Sequence, residues 1–326
     1  MSEAPRRVAL VFPGQGSQAV GMGRAIAGAF VESRAVFERA DAALGMPLSR
    51  VCFEGPEEAL RLTATTQPAI LATSIAVLEA LRARAAGSWT TAIACAAGHS
   101  LGEYSALVAA GALGLEDAVR TVRRRGEYMQ EAVPVGEGAM AALLGASLET
   151  VEALCAEAAA GEVLSPANLN APDQTVVAGH AGAVDRMADL ARARGVRKVV
   201  RLPVSAPFHC GLMQRAAERL AADLRDLRLR DASFPIVTNV EAAPVTGADA
   251  LRDALLRQVT SPVRWTETVR RLREMGVRVL IEVGPGRVLT GLARRTAPEL
   301  SLVSAEDPEG VERAARALAD GGGGSR

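Results

Sequence analysis

The chain has 326 residues, enough to bury a large core in one domain or two. Hydrophobic residues make up 49% and charged residues 23%, and 37 basic side chains are cancelled by 37 acidic ones. That balance supplies no field to attract nucleic acid, and 3% aromatic residues leaves little for base stacking, so no nucleic-acid partner is expected. Cys52, Cys95, Cys155 and Cys210 are scattered, form no C-x-x-C pair, and read as small buried hydrophobes in a reducing compartment. The start of the chain has no apolar signal-peptide core. The most apolar stretch, 91–115, is broken by His99, Ser100 and Glu103, so a cytoplasmic protein without a membrane span is expected.

The first element is the buried-type strand RVALVF, ending at Pro13. The turn after it, GQGSQA, fits the dinucleotide fingerprint G-x-G-x-x-G/A, which is weak on its own. A dinucleotide fold needs a second strand ending in an acid about 20 residues on. Here ESRAVFERADAAL continues with helical spacing instead, which removes the context for a pyrophosphate at Gly14 and Gly16. Pro56 opens a short helix and QPAILATSIAVLEALRARA is a long apolar one. The strand TAIACAAG runs directly into GHSLGEYSALVAAGAL, and LEDAVRTVRRRGEYMQEAV is again helical. Between 134 and 203 the order becomes β-α-β-β-α-β, from GAMAALLGA to VRKVVRLPV, which is the ferredoxin-like sequence of elements. The α/β pattern then resumes with LMQRAAERLAADL, FPIVTNV, ADALRDALLRQV, TETVRRLREM, VRVLIEV and GPGRVLTGLARR. This divides the chain into a discontinuous core of 1–133 and 204–320, an insert of 134–203 and a flexible glycine tail of 321–326.

Gly98-His99-Ser100-Leu101-Gly102 is a G-x-S-x-G pentapeptide with a strand before it and a helix after it, the context of a nucleophile elbow. Such a turn exposes Oγ at a helix N-terminus, where developing negative charge is favoured. The plainer alternative is a glycine-bounded turn with a capping serine. Three histidines are available as a base. His99 adjoins the serine and its side chain should diverge from it, and His180 ends a strand of the insert. His209, in VSAPFHCGLM where the chain returns to the core, remains; a satisfied core histidine is the competing reading. No acid stands out as a third member, so a backbone carbonyl accepting from Nδ1–H would orient the ring in a Ser-His dyad.

Seven segments, VFPGQGSQ, GHSLGEYSAL, the arginine of RRRGEYMQ, NLNAPDQTVVAG, APFHCGLM, RQVTSPVRW and EVGPGRVLTGL, together resemble the malonyl-CoA:acyl-carrier-protein transacylases, in the family's order from about residue 8 to 295. The resemblance implies an α/β-hydrolase-like core with a parallel sheet plus an inserted ferredoxin-like subdomain, with the site in the cleft between them. It implies catalytic Ser100 and His209, an oxyanion hole from the backbone N–H groups of Gln15 and Leu101, and Arg125 as receiver of the substrate carboxylate. Arg125 alternatively belongs to a solvated run, Arg123 to Arg125. The carbonyl of Gln258 matches the group that orients the histidine, and Phe208, Met129, Asn168, Asn170 and Gln174 match residues lining the pocket. Phe208 fits malonyl-specific members, although Pro207 beside it departs from the synthase-domain pattern.

The implied activity moves a malonyl group from malonyl-CoA to the phosphopantetheine thiol of acyl carrier protein, supplying fatty acid synthesis, with no metal or tightly bound cofactor. A monomer is expected. Carrier docking is assigned to Arg192, Arg194, Arg197 and Lys198, or to Arg294 and Arg295, with solvated helix faces as the alternative. A polyketide-pathway acyltransferase and a serine hydrolase remain the competing functions.

Overall fold

A computed structural model describes residues 7–85, 89–204 and 206–321; the glycine tail beyond 321 lies outside the described residues. Among the described residues, ten strands form two sheets: β1 (Arg7–Phe12), β2 (Ile93–Gly98), β3 (Gly138–Leu144), β4 (Leu164–Ala171), β5 (Gln174–His180), β6 (Lys198–Arg201), β7 (Ile236–Val237), β8 (Pro244–Val245), β9 (Val277–Val283) and β10 (Ser301–Ala305). The larger sheet runs β10-β9-β1-β2-β7-β8. Its neighbours are parallel from β10 through β7, and only β8 is antiparallel. The central strand β1 is a continuous buried apolar run from Val8 to Phe12 because helices cover both faces, as a parallel sheet demands.

One of those helices, Thr63–Ala85, is long and apolar enough to cross a membrane by length and composition. It serves instead as a core helix, with 94% of its most apolar window buried inside the protein. Its hydrophobic residues run round its whole circumference, the pattern of a helix packed on every side.

The second sheet has the order β4-β5-β3-β6, all antiparallel, with helices Leu148–Ala159 and Ala181–Ala193 packed on one another and on the sheet. This is the ferredoxin-like arrangement expected of the insert. Its separate apolar core contains Leu143, Val151, Leu154, Val177 and Met187. The insert is also stitched to the core by backbone: Leu169 N–H donates to the carbonyl of Val263 at 2.9 Å and Val263 N–H to that of Ala167 at 2.9 Å. β4 is therefore held at a fixed position against the core segment around Val263, and the cleft between insert and core has defined walls.

Four local differences from the sequence reading have physical causes. Pro56 is the N-cap of the helix Glu57–Arg61 and not its first residue. Phe30 is extended and divides the first helical region into Arg24–Ala29 and Val31–Leu44. FPIVTNV contributes only two strand residues, because Thr238 and Asn239 turn away beneath the nucleophile. The edge strand β10 and the helix Pro308–Gly321 occupy a stretch to which the sequence reading assigns no element.

Candidate active site

The serine turn is built by close packing. Gly98 and Gly102 have no room for a Cβ: one on Gly98 would collide with the backbone of Gly102, and one on Gly102 with the carbonyl of Phe12. The elbow is thereby pressed onto the end of β1, and His99 N–H donates to the Phe12 carbonyl at 3.0 Å. Ser100 is forced to φ 52°, a left-handed conformation that costs a non-glycine residue about 1–3 kcal/mol. Asn239 offsets part of this by accepting from Ser100 N–H at 2.8 Å and donating to the Gly98 carbonyl at 2.6 Å.

Ser100 Oγ lies 2.8 Å from His209 Nε2, and His209 Nδ1 lies 2.9 Å from the backbone carbonyl of Gln258. A carbonyl only accepts, so Nδ1 carries the proton and Nε2 presents its lone pair to the serine hydroxyl. His209 is itself at φ 62° and is 3% exposed. Burial, aided by the Arg125 guanidinium, pushes its pKa down to about 3, which keeps the imidazole neutral and able to take a proton.

Arg125 is 1% exposed, which excludes the solvated-run reading. Its Nη1 donates to Gln67 Oε1 at 2.8 Å, and its Nη2 to Gln258 Oε1 at 2.9 Å and to Ser100 Oγ at 3.0 Å. All three acceptors are neutral, and no carboxylate comes within salt-bridge reach of it among the described residues. The guanidinium also lies 5.8 Å from the centroid of Tyr104. A buried cation held only by neutral oxygens is an incompletely compensated charge that a small anion beside Ser100 would complete.

The hydroxyl, the imidazole and the guanidinium open into one cavity between the sheets. From the core it is lined by Gln15, Gln67, Leu101, Met129 and Phe208, and from the insert side by Met140, Asn168, Leu202 and Val204. Among the described residues, the backbone N–H groups of Gln15 and Leu101 have no acceptor. The acyl transferase domain model matches residues 9–315. The chain belongs to the acyl transferase domain family.

This acyltransferase is 45% identical over 306 residues to the malonyl CoA-acyl carrier protein transacylase of Escherichia coli K12, covering 94% of this chain and 98% of that protein. It is 44% identical to the protein of the same name from Bacillus subtilis strain 168, covering 96% and 97% of the two chains. Among solved structures, the malonyl CoA-acyl carrier protein transacylase of Coxiella burnetii superposes with a TM-score of 0.93 at 42% identity, covering 96% of this chain and 98% of that one. A malonyl-transacylase in complex with its type II PKS acyl-carrier protein superposes with a TM-score of 0.92 at 44% identity, covering 95% and 99%.

The acyltransferase fold brings most of the expected residues to the cavity, but two belong elsewhere. Gln174 does not line it: it starts β5 at the far end of the hairpin, and its Oε1 accepts from Arg295 Nη1 at 2.5 Å. Asn170 acts one step back, with Oδ1 2.9 Å from His99 Nε2, and so holds the ring of the histidine beside the nucleophile. Asn168 does reach the cavity, and its buried Oδ1 has no partner among the described residues. His180 accepts from Val163 N–H at 3.0 Å within the insert, away from the chemistry.

Three polar residues of the site were not singled out from sequence: Gln67, Glu103 and Asn239. Two had a usable signal. Glu103 directly follows the elbow pentapeptide, and Asn239 is a polar residue just past a strand end, where open α/β sheets place their sites. Gln67 sits in a long apolar helix and offered none.

Proposed function

We propose that this acyltransferase moves a malonyl group from malonyl-CoA to the phosphopantetheine thiol of an acyl carrier protein through a malonyl ester on Ser100. His209 Nε2 takes the hydroxyl proton as Ser100 Oγ attacks the thioester carbonyl. The Gln15 and Leu101 N–H groups receive the tetrahedral oxyanion, and the leaving coenzyme A thiolate regains the proton from His209. In the second half the carrier thiol gives its proton to His209 and attacks the ester, and Ser100 recovers its hydrogen. Acyl exchange between two thiols balances without an oxidant, a reductant or a metal.

The observation that carries the reading is Arg125, a buried guanidinium bonded to neutral oxygens and 3.0 Å from the nucleophile. On acylation Oγ becomes an ester oxygen, a poor acceptor, and Nη2 is released. A carboxylate one methylene beyond the ester carbonyl lies within its reach, so a three-carbon diacid fits. Arg125 thus supports an acyltransferase for diacids over a general serine hydrolase, which gains nothing from a cation there.

The carrier is assigned to fatty acid synthesis. A second reading, a polyketide-pathway carrier, is favoured by the similar transacylase solved with a type II PKS carrier. The proposed catalytic groups all come from one chain, which suits a monomer, and the four cysteines are buried small side chains, which suits the cytoplasm.

The test is the intact mass after brief exposure to malonyl-CoA, followed by peptide mapping. One malonyl adduct on Ser100 is expected, and Ser100→Ala is expected to lose both the adduct and roughly 10⁶-fold in turnover. An adduct mapped to any other residue would overturn the assignment. Parallel kinetics with fatty acid and polyketide carriers separate the two pathways.

A further inference from the structure

Beneath the nucleophile lies an acid that this mechanism does not use. Glu103, in the first turn of the helix Gly102–Ala109, is 1% exposed and forms no ion pair among the described residues. Its Oε2 accepts from Asn239 N–H at 3.0 Å and from Gln258 Nε2 at 2.9 Å, while its Oε1 has no partner among the described residues. Gln258 in turn is fully buried and joins every charged or reacting group of the site. Its Nε2 donates to Glu103, to the Ser100 carbonyl at 3.0 Å and to Asn239 Oδ1 at 3.3 Å. Its Oε1 accepts from Arg125, and its backbone carbonyl from His209.

The sense of this network is not free. A carboxylate and a backbone carbonyl only accept, so the amide end facing Glu103 and Ser100 must be nitrogen, which leaves oxygen facing Arg125. Turned over, the same amide would set an NH₂ against a guanidinium and an oxygen against a carboxylate. We infer that Glu103 is a positioning residue for acyl transfer, because it fixes which way the Gln258 side chain faces and so holds Arg125 over Ser100.

The energetics agree with a role other than stability. Burial pushes the Glu103 pKa up to about 7, so its charged form is held there at a cost to folding. An acid kept at such a place is explained by what it orients. The inference rests on Ser100 and Arg125 acting as proposed above.

The test measures the rate of Ser100 labelling by malonyl-CoA and by acetyl-CoA, by intact mass, in the full-length chain. Glu103→Leu is expected to slow malonyl labelling and to reduce the malonyl-over-acetyl preference, each roughly tenfold, the scale of one hydrogen bond to a charged group. A purely structural role would lower both acyl groups together and leave their ratio unchanged. Glu103→Gln keeps an acceptor oxygen and is expected to restore most of both. Because leucine could prevent folding, Glu103→Asp makes an independent test: it keeps the acceptor but withdraws it by one methylene from Gln258 Nε2, and is expected to give a malonyl rate and a malonyl-over-acetyl ratio between those of wild type and Glu103→Leu. A Glu103→Leu protein with wild-type rate and preference or, where leucine does not fold, a Glu103→Asp protein with both unchanged overturns the inference. Failure of the wild type itself to label at Ser100 would instead overturn the proposed function.

Discussion

Replacing Arg125 by alanine separates the anchor for the carboxylate from the machinery of acyl transfer. The guanidinium directs Nη1 and Nη2 at Gln67, Gln258 and Ser100, so two N–H groups can meet one carboxylate once acylation frees the serine contact. Hydrogen bonds to charged groups are worth about 1.5–3 kcal/mol each, and two of them give about 3–6 kcal/mol. That corresponds to roughly a 10²- to 10⁴-fold loss in kcat/KM for malonyl-CoA. Acetyl-CoA offers no carboxylate, and in the wild type it leaves the buried cation without its partner, so its labelling is expected to be unchanged or improved in the variant. Folding is expected to survive, because the change removes a buried charge that has no anion of its own. Lysine at this position is expected to rescue only in part, since one ammonium cannot span Gln67 and Gln258 as a planar fork does. The assay is a competition of malonyl-, methylmalonyl- and acetyl-CoA for each protein, read by intact mass at short times. If Arg125→Ala keeps the wild-type preference for malonyl, the carboxylate is held elsewhere and the anchor argument fails.

Three other outcomes follow from the site. Burial holds the pKa of His209, the proposed base, down at about 3, so its neutral form persists as pH falls. In Glu103→Gln, which removes the buried acid raised to about 7 from the same network, acylation measured by rapid quench is therefore expected to pass without inflection through about pH 6.5, where an ordinary histidine protonates, and a break there would refute the assignment. Phe208 is 7% exposed and lines the cavity, so Phe208→Ser is expected to admit methylmalonyl while acetyl stays excluded; a gain for acetyl as well would show that it does more than crowd the α-carbon. Of the arginines expected to dock the carrier, Arg192, Arg194 and Arg295 are already paired with Asp189, Glu157 and Asp173. Arg294 lines a second cavity with Arg287 and Arg313 and enters no ion pair among the described residues. Arg294→Glu is expected to raise the KM for the carrier without changing self-acylation, and an unchanged KM would move docking to another face.

The hydrogen-bonded Ser100–His209 pair and the fold are legible because their signals are local. A strand, a glycine-bounded serine and a helix within ten residues define the elbow, and the β-α-β-β-α-β order of the insert needs only alternation and helical spacing. What escaped depends on tertiary neighbours. Gln174 looked like a cleft residue by its motif, yet the register of the β4–β5 hairpin carries it to Arg295. Gln67 points out of a helix buried on every side, and nothing in an apolar run tells which polar position meets a guanidinium from another helix. The strand β10 has only Leu302 and Val303 as consecutive apolar residues, too few to read an edge strand. The helix after it was readable in principle, since Val311, Ala314 and Leu318 recur at helical spacing and all are buried.

The collision of any Gly102 side chain with the Phe12 carbonyl means that the two halves of the site differ in what engineering can change. The bond-making half rests on backbone amides and strained turns pressed against β1, so exchanges at Gly98 or Gly102 would move the sheet, while exchanges at Ser100 or His209 would remove the proposed chemistry. The choosing half is made of side chains alone: Arg125, Phe208, Met129 and the insert's Met140. A laboratory seeking new extender units has a fixed reactor and a replaceable filter, and libraries confined to the filter can be expected to trade one acyl group for another at little cost in rate.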